Sequence, residues 1–201
     1  MSNVSNLILQ SLSGLLISAL YLPVYFHTRK MDFLEKKDRK SIFVKFILCF
    51  CVNLLICTGR MNETQDFTDK AFHFLMMLIA DTDLLIMKIP SEFLILLVLS
   101  TIKHIIHVFS PYNLLICLIQ WIIWLLVRKK IKIGFYDTVL LLIFPLCLNT
   151  VRDVRIFNSI FLILYGISGL ILKYIFRKSP ETNIPLSPLI ISAFKMVQLF
   201  N

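Results

Sequence analysis

Glycine is scarce in this chain. Gly14, Gly59, Gly134, Gly166 and Gly169 are the whole complement in 201 residues. No loop gathers them, so no glycine-rich segment exists to bring backbone amides up to a phosphate, and this argues against a small membrane acyltransferase. Charge is also thin, at 16% of residues where a soluble domain carries about 25%. There is no Cys-x-x-Cys pair. Cys49, Cys51, Cys57, Cys117 and Cys147 all lie inside apolar runs, and Cys49 and Cys51 point about 200° apart on a helix. No zinc site, disulfide framework or other metal site is expected, and the cysteines read as small packing residues. The N-terminus has no basic region ahead of its apolar run, so it reads as a retained first helix and not as a cleavable signal. No compact basic domain accompanies the net charge of +9, which excludes nucleic acid as the expected partner.

What fills the chain is apolar. The hydrophobic share is 58% and the mean hydropathy +0.81. At about 20 apolar residues per span, this length holds seven or eight membrane helices and leaves no room for a sizeable soluble domain. The expected fold is therefore all-α, a polytopic integral membrane bundle, with residues 1–201 as a single unit and membrane lipid around it. The apolar runs place spans at 4–26, 42–59, 71–80, 89–109, 112–127, 138–151, 156–176 and 184–200. The third, sixth and eighth are short for full spans, so tilt or re-entry is expected there.

Loop charge orients these spans. Thirteen Lys and Arg fall in one set of alternate loops, and four (Arg60, Lys70, Arg152 and Arg155) in the other. The rich set is expected in the cytoplasm and both termini outside. That arrangement puts three unusual stretches on one face: "ADTDLLIMKIPSEF" from position 80, "GFYD" from 134 and "IPLSP" from 184.

Asp83 and Asp137 each stand where a cytoplasmic loop meets a span. A carboxylate near hydrocarbon is costly, so two on one face suggest a use. Two carboxyls brought together cannot both ionise cheaply and share a proton. The ionised member can take a proton from an attacking water while the protonated one polarises a peptide carbonyl, with neither metal nor cofactor. This predicts the two carboxyls within roughly 10 Å of each other. Asp81 lies about 200° from Asp83 around a helix and is not expected in the same site.

The same residues resemble a family. Asp83, five intervening residues and then Ile89-Pro90 resemble the first motif of the type IV prepilin peptidases, with Lys88 just before the Ile-Pro pair and Ser91 in place of the usual amide or acid. Gly134-Phe-Tyr-Asp137 resembles the family's Gly-x-Gly-Asp motif, with Tyr136 at the second glycine and Val139 where a Lys is common. Ile184-Pro185-Leu-Ser-Pro188 resembles the Ile-Pro-Phe-Gly-Pro that opens the last helix. The resemblance implies an aspartic endopeptidase of the bacterial inner membrane, with its site facing the cytoplasm and Asp83 and Asp137 as the catalytic pair. It would cut the leader from prepilin or pseudopilin substrates just before their hydrophobic helix. Lys88, Ile89, Pro90, Gly134, Tyr136 and Pro185 would support the motifs or contact substrate. The short segment after the first span has no cysteines, so the form resembled is one without the cytoplasmic zinc-binding insert of the larger members.

A phenol at position 136 must displace something or turn away from the acid. The alternative expectation is accordingly a catalytically inactive relative or a non-enzymatic membrane protein of transport or assembly. Among the remaining polar residues, Glu92 is expected to be paired or to face a wet cavity, Lys103, His104 and His107 to cluster near the outer end of the fourth span, and Lys195 to snorkel or pair. Trp121 and Trp124 read as packing or interface anchors.

Overall fold

The computed structural model describes residues 8, 12, 16, 39–58, 67–86, 89–108, 110–131, 133–174 and 184–200. The expected first span, 4–26, lies outside them apart from three helical positions, and Lys88 lies outside them altogether. Among the described residues the fold is all-helical: α1 (Arg39–Thr58), α2 (Phe67–Ile86), α3 (Ser91–Val108), α4 (Pro111–Ile131), α5 (Phe135–Leu146), α6 (Val151–Tyr174) and α7 (Ser187–Phe200). Helix α2 packs on α1, α3 and α7, while α7 also touches α1, α5 and α6. The core sits where α2, α5 and α7 meet. There the Phe144 and Phe194 rings lie 4.8 Å apart, tilted by 33°, and Phe72 stands 6.2 Å from each. All three rings are buried. Phenyl groups of this size dominate packing energetics, and each lost ring would leave a void costing about 3–5 kcal/mol.

Large apolar side chains also cover much of the outer faces of α3 and α4. On α3, Ile95, Leu99, Ile102 and Ile106 are exposed, and on α4, Leu115, Ile119, Ile122 and Leu126 are exposed. Both sets follow the i, i+4, i+7, i+11 spacing of one helix face. A soluble protein turns such a stripe inward; here it faces out. Two helices, over Pro111–Arg128 and Val151–Ile171, are long and apolar enough to cross a membrane. Only 11% and 17% of those windows is buried, which is not how the core helix of a soluble fold is placed. The apolar windows of α1, α5 and α7 are shorter.

Several helix ends differ from the expected ones; α5, for instance, ends at Leu146 and not at 151, and two of the differences bear on the polar residues. Helix α2 does not stop at Ala80 but continues to Ile86, so Asp81 and Asp83 lie inside a helix and not in a loop. Their burial is tolerated because other helices supply partners, described below. Helix α6 starts at Val151 and takes in "RDVR", because Thr150 and Asp153 form a reciprocal cap. The Thr150 N–H donates to Asp153 Oδ2 at 3.1 Å and the Asp153 N–H to Thr150 Oγ1 at 3.2 Å, filling amides that the first turn would leave open.

Polar side chains tie the helices together at mid-bundle. Gln120 of α4 and Asn158 of α6 exchange two amide bonds, at 2.6 and 3.0 Å. Beside them the Trp124 ring meets Phe161 edge-on at 5.6 Å. Interhelical amide bonds of this kind average about 0.6 and reach about 1.7 kcal/mol in membrane bundles. Gln120→Leu should therefore lower stability by about 1 kcal/mol, because Asn158 loses both bonds. The double change Gln120→Leu with Asn158→Leu should recover most of that loss. Thermal unfolding of the detergent-solubilised variants measures both.

Candidate active site

Three helix ends converge at one end of the bundle. Helix α2 brings Asp83 in its last turn, α5 brings Asp137 in its first, and α7 brings Ser187 as its first residue. Asp83 is 6% exposed and Ser187 is fully buried, while Asp137 is half-buried at the edge.

Each acid has a local reason for its position. Asp137 is the third residue of α5, and Gly134 is its N-cap. The Asp137 carboxylate reaches back to the Gly134 amide, the acidic half of a capping box. Gly134 has φ −63° and ψ 154°, a conformation open to any residue, so the glycine is there for space. A Cβ at that position would stand 2.8 Å from Asp137 Oδ2. Asp83 acts as a cap for a different helix. Its Oδ2 accepts the Ser187 N–H at 3.0 Å and the Ser187 hydroxyl at 2.9 Å, and the Leu186 amide also donates to it. These amides begin α7 and have no partner within that helix, so a carboxylate there is favoured both by hydrogen bonding and by the helix dipole.

The same Ser187 Oγ lies 3.2 Å from Asp137 Oδ1. One oxygen atom therefore touches both carboxyls, and their near oxygens can be no further apart than the two contacts laid end to end. The structure thus brings Asp83 and Asp137 together. Ser187 was not singled out from the sequence. Its signal was available in "IPLSP", a hydroxyl residue at the start of a helix on the face that already held both acids.

The other expected residues fall as follows. Ile89 and Pro90 are buried at the start of α3, where the Pro90 carbonyl accepts the Leu94 N–H at 3.3 Å. Pro185 is half-buried just ahead of α7. Tyr136 is 41% exposed, with its ring 6.2 Å from that of Phe135, so the phenol is turned outward. Glu92 is exposed and accepts the Ser91 hydroxyl at 3.2 Å. Asp81 faces α1, where Asn53 donates to its Oδ2 at 3.0 Å and the Cys49 thiol also bonds to it. Asp81 thus joins two helices and stands apart from the pair.

A second polar group occupies the other end of α2. Lys195 of α7 is 1% exposed; its Nζ meets His73 Nε2 at 2.7 Å and Gln198 Oε1 at 3.1 Å. The lysine therefore pairs inside the bundle. Lys103 and His104 approach Asp69 Oδ1 at 3.9 and 3.4 Å, while the His107 side chain is outside the described residues. Among the described residues no group of three His, Cys, Asp or Glu side chains could hold a metal.

Comparison with protein-family models, curated proteins and solved structures finds no match to this chain. What the site does is therefore read from its geometry: two carboxyls at one bundle end, one buried and one reachable, joined through a hydroxyl.

Gly134→Ala should displace the Asp137 carboxylate from Ser187 and lower stability by about 1 kcal/mol, the worth of a lost hydrogen bond. In an Asp137→Ala background the same substitution should cost less than half as much, since the atom it strikes is gone. Melting temperatures of the four proteins in detergent give this comparison.

Proposed function

We propose that this protein is a membrane-embedded aspartic endopeptidase of the prepilin-peptidase kind, with Asp83 and Asp137 as the catalytic pair. The observation that carries the reading is the single Ser187 hydroxyl in contact with both carboxyls. A shared proton is the condition under which two acids so close divide the work of hydrolysis. The ionised member takes a proton from water as the water attacks the scissile carbonyl. The protonated member polarises the carbonyl oxygen and then returns its proton to the departing amine. Gly134 and Asp137 lie at the accessible edge of the site, which suits approach by an extended peptide from the α5 side. The polypeptide crosses the bacterial inner membrane seven or eight times, with this end in the cytoplasm. The substrate is a prepilin or pseudopilin whose hydrophobic helix lies in the bilayer beside the enzyme, and no cofactor takes part.

A second reading has its own support. Among the described residues, the donors to Asp83 come from the start of α7, which is also what a purely structural cap between helices would show. On this reading the protein is a non-catalytic membrane component, and the two acids only pin three helix ends.

Co-expression with the candidate prepilins encoded near its gene separates the two. The wild type should release the leader, and Asp83→Ala and Asp137→Ala should each lower the rate by about 10²-fold or more, as expected for loss of a general acid or base. If the wild type leaves every leader attached while both alanine variants merely melt at lower temperature, the structural reading holds. Cleavage that survives in both variants would remove the site assignment.

A further inference from the structure

A hydroxyl has one hydrogen and two lone pairs, yet Ser187 Oγ lies within hydrogen-bond distance of an oxygen on each of two acids, at 2.9 and 3.2 Å. With both acids ionised, the one hydrogen serves one of them, and the other oxygen faces a lone pair. With both protonated, the hydroxyl accepts from one acid and donates to the carbonyl oxygen of the other, which is a weaker acceptor than a carboxylate. Only the singly protonated pair fills both contacts at full strength, through an O–H donating to a carboxylate and a carboxyl O–H donating to Oγ.

We propose that Ser187 is a positioning residue that holds a single proton between Asp83 and Asp137, favouring the singly protonated pair over both neighbouring states. The proposal deepens the peptidase reading and rests on it for its meaning in catalysis, since the singly protonated pair is the working form. The hydroxyl acts through the acids and is not itself required to touch substrate.

Among the described residues, the following charged groups on the packed helices make contacts other than with the pair. Lys45 of α1 donates to the Leu85 carbonyl at 3.3 Å, and Asp81 of α2 faces Asn53. Glu92 of α3 is exposed beside Ser91, Arg128 of α4 lies over the Phe135 ring, Asp153 of α6 is held in its own cap, and Lys195 of α7 pairs with His73 at the far end. Among the described residues, the acid that neighbours Asp137 across the Ser187 hydroxyl is Asp83.

A pair stabilised in its middle state loses its two protons in well-separated steps. Removing the hydroxyl should draw those steps together. The test records the pH profile of leader cleavage for wild type, Ser187→Ala and Ser187→Thr. In parallel, infrared titration of the carboxyl bands of the purified proteins, with bands assigned through Asp83→Asn and Asp137→Asn, follows the pair without any substrate. The wild type should give a bell-shaped profile. In Ser187→Ala both limbs should move inward, each by about 0.5–1 pH unit for one lost hydrogen bond, and Ser187→Thr should restore most of the width. Limbs that stay in place in Ser187→Ala overturn the proposal. Limbs that move as far in Ser187→Thr as in Ser187→Ala assign the effect to packing and overturn it too. The infrared arm keeps the two failures apart. If the wild type cleaves no prepilin, the peptidase reading fails while the titration still decides what Ser187 does. If it cleaves and the limbs do not move, the proposal about Ser187 fails alone.

Discussion

Two carboxyls are held inside an apolar helical bundle, and the rest of the structure follows from how they are satisfied. A buried acid without partners would be costly. Asp83 avoids this by serving as the cap that α7 lacks, and Asp137 by reaching back to its own N-cap at Gly134. Ser187 joins the two solutions, because its hydroxyl touches both acids. Three helices that are distant in sequence are thereby fixed at one end, and the rings of Phe72, Phe144 and Phe194 lock the same three helices further along. Packing sets the directions of α2, α5 and α7, and the polar contact sets where they end.

This division of labour suits a surface like the one observed. Aliphatic side chains line the outer faces of α3 and α4, so in hydrocarbon there is little gain from burying more of them against one another. Specific contacts must choose the neighbours instead. Gln120 with Asn158 joins α4 to α6, Asn53 with Asp81 joins α1 to α2, and Lys195 with His73 joins α7 to α2. Each is a pair of polar groups that would be poorly solvated apart. Asp83, Ser187 and Asp137 make the same kind of contact among α2, α7 and α5.

Much of this was legible in the sequence, and the exceptions have physical causes. Hydropathy leads to an all-helical expectation, which the described residues meet, and loop charge leads to the expectation of three motifs on one face. Those two observations were enough to expect Asp83 and Asp137 near each other. The angle around a helix correctly separated Asp81 from Asp83. The end of α2 is hidden in the sequence because two acids close together look like a loop. Their partners, Asn53 and Ser187, lie on other helices, and no local pattern reveals them. The start of α6 is hidden for the converse reason. Thr150 and Asp153 form a local cap whose spacing was visible, but the surrounding arginines suggested a loop. The importance of Ser187 is not legible locally because it depends on two residues far away in the chain. The outward turn of Tyr136 was one of two options open from sequence, and the position of Asp137 in the first turn of α5 selects it.

The central claim is that Asp83 and Asp137 form one site. The most direct measurement is cross-linking of Asp83→Cys with Asp137→Cys in a background lacking the five native cysteines, using mercuric ion as a short bridge and Asp81→Cys with Asp137→Cys as the control. The account predicts an efficient bridge within single molecules for the first pair and none for the control. A first pair that bridges no better than the control would contradict it.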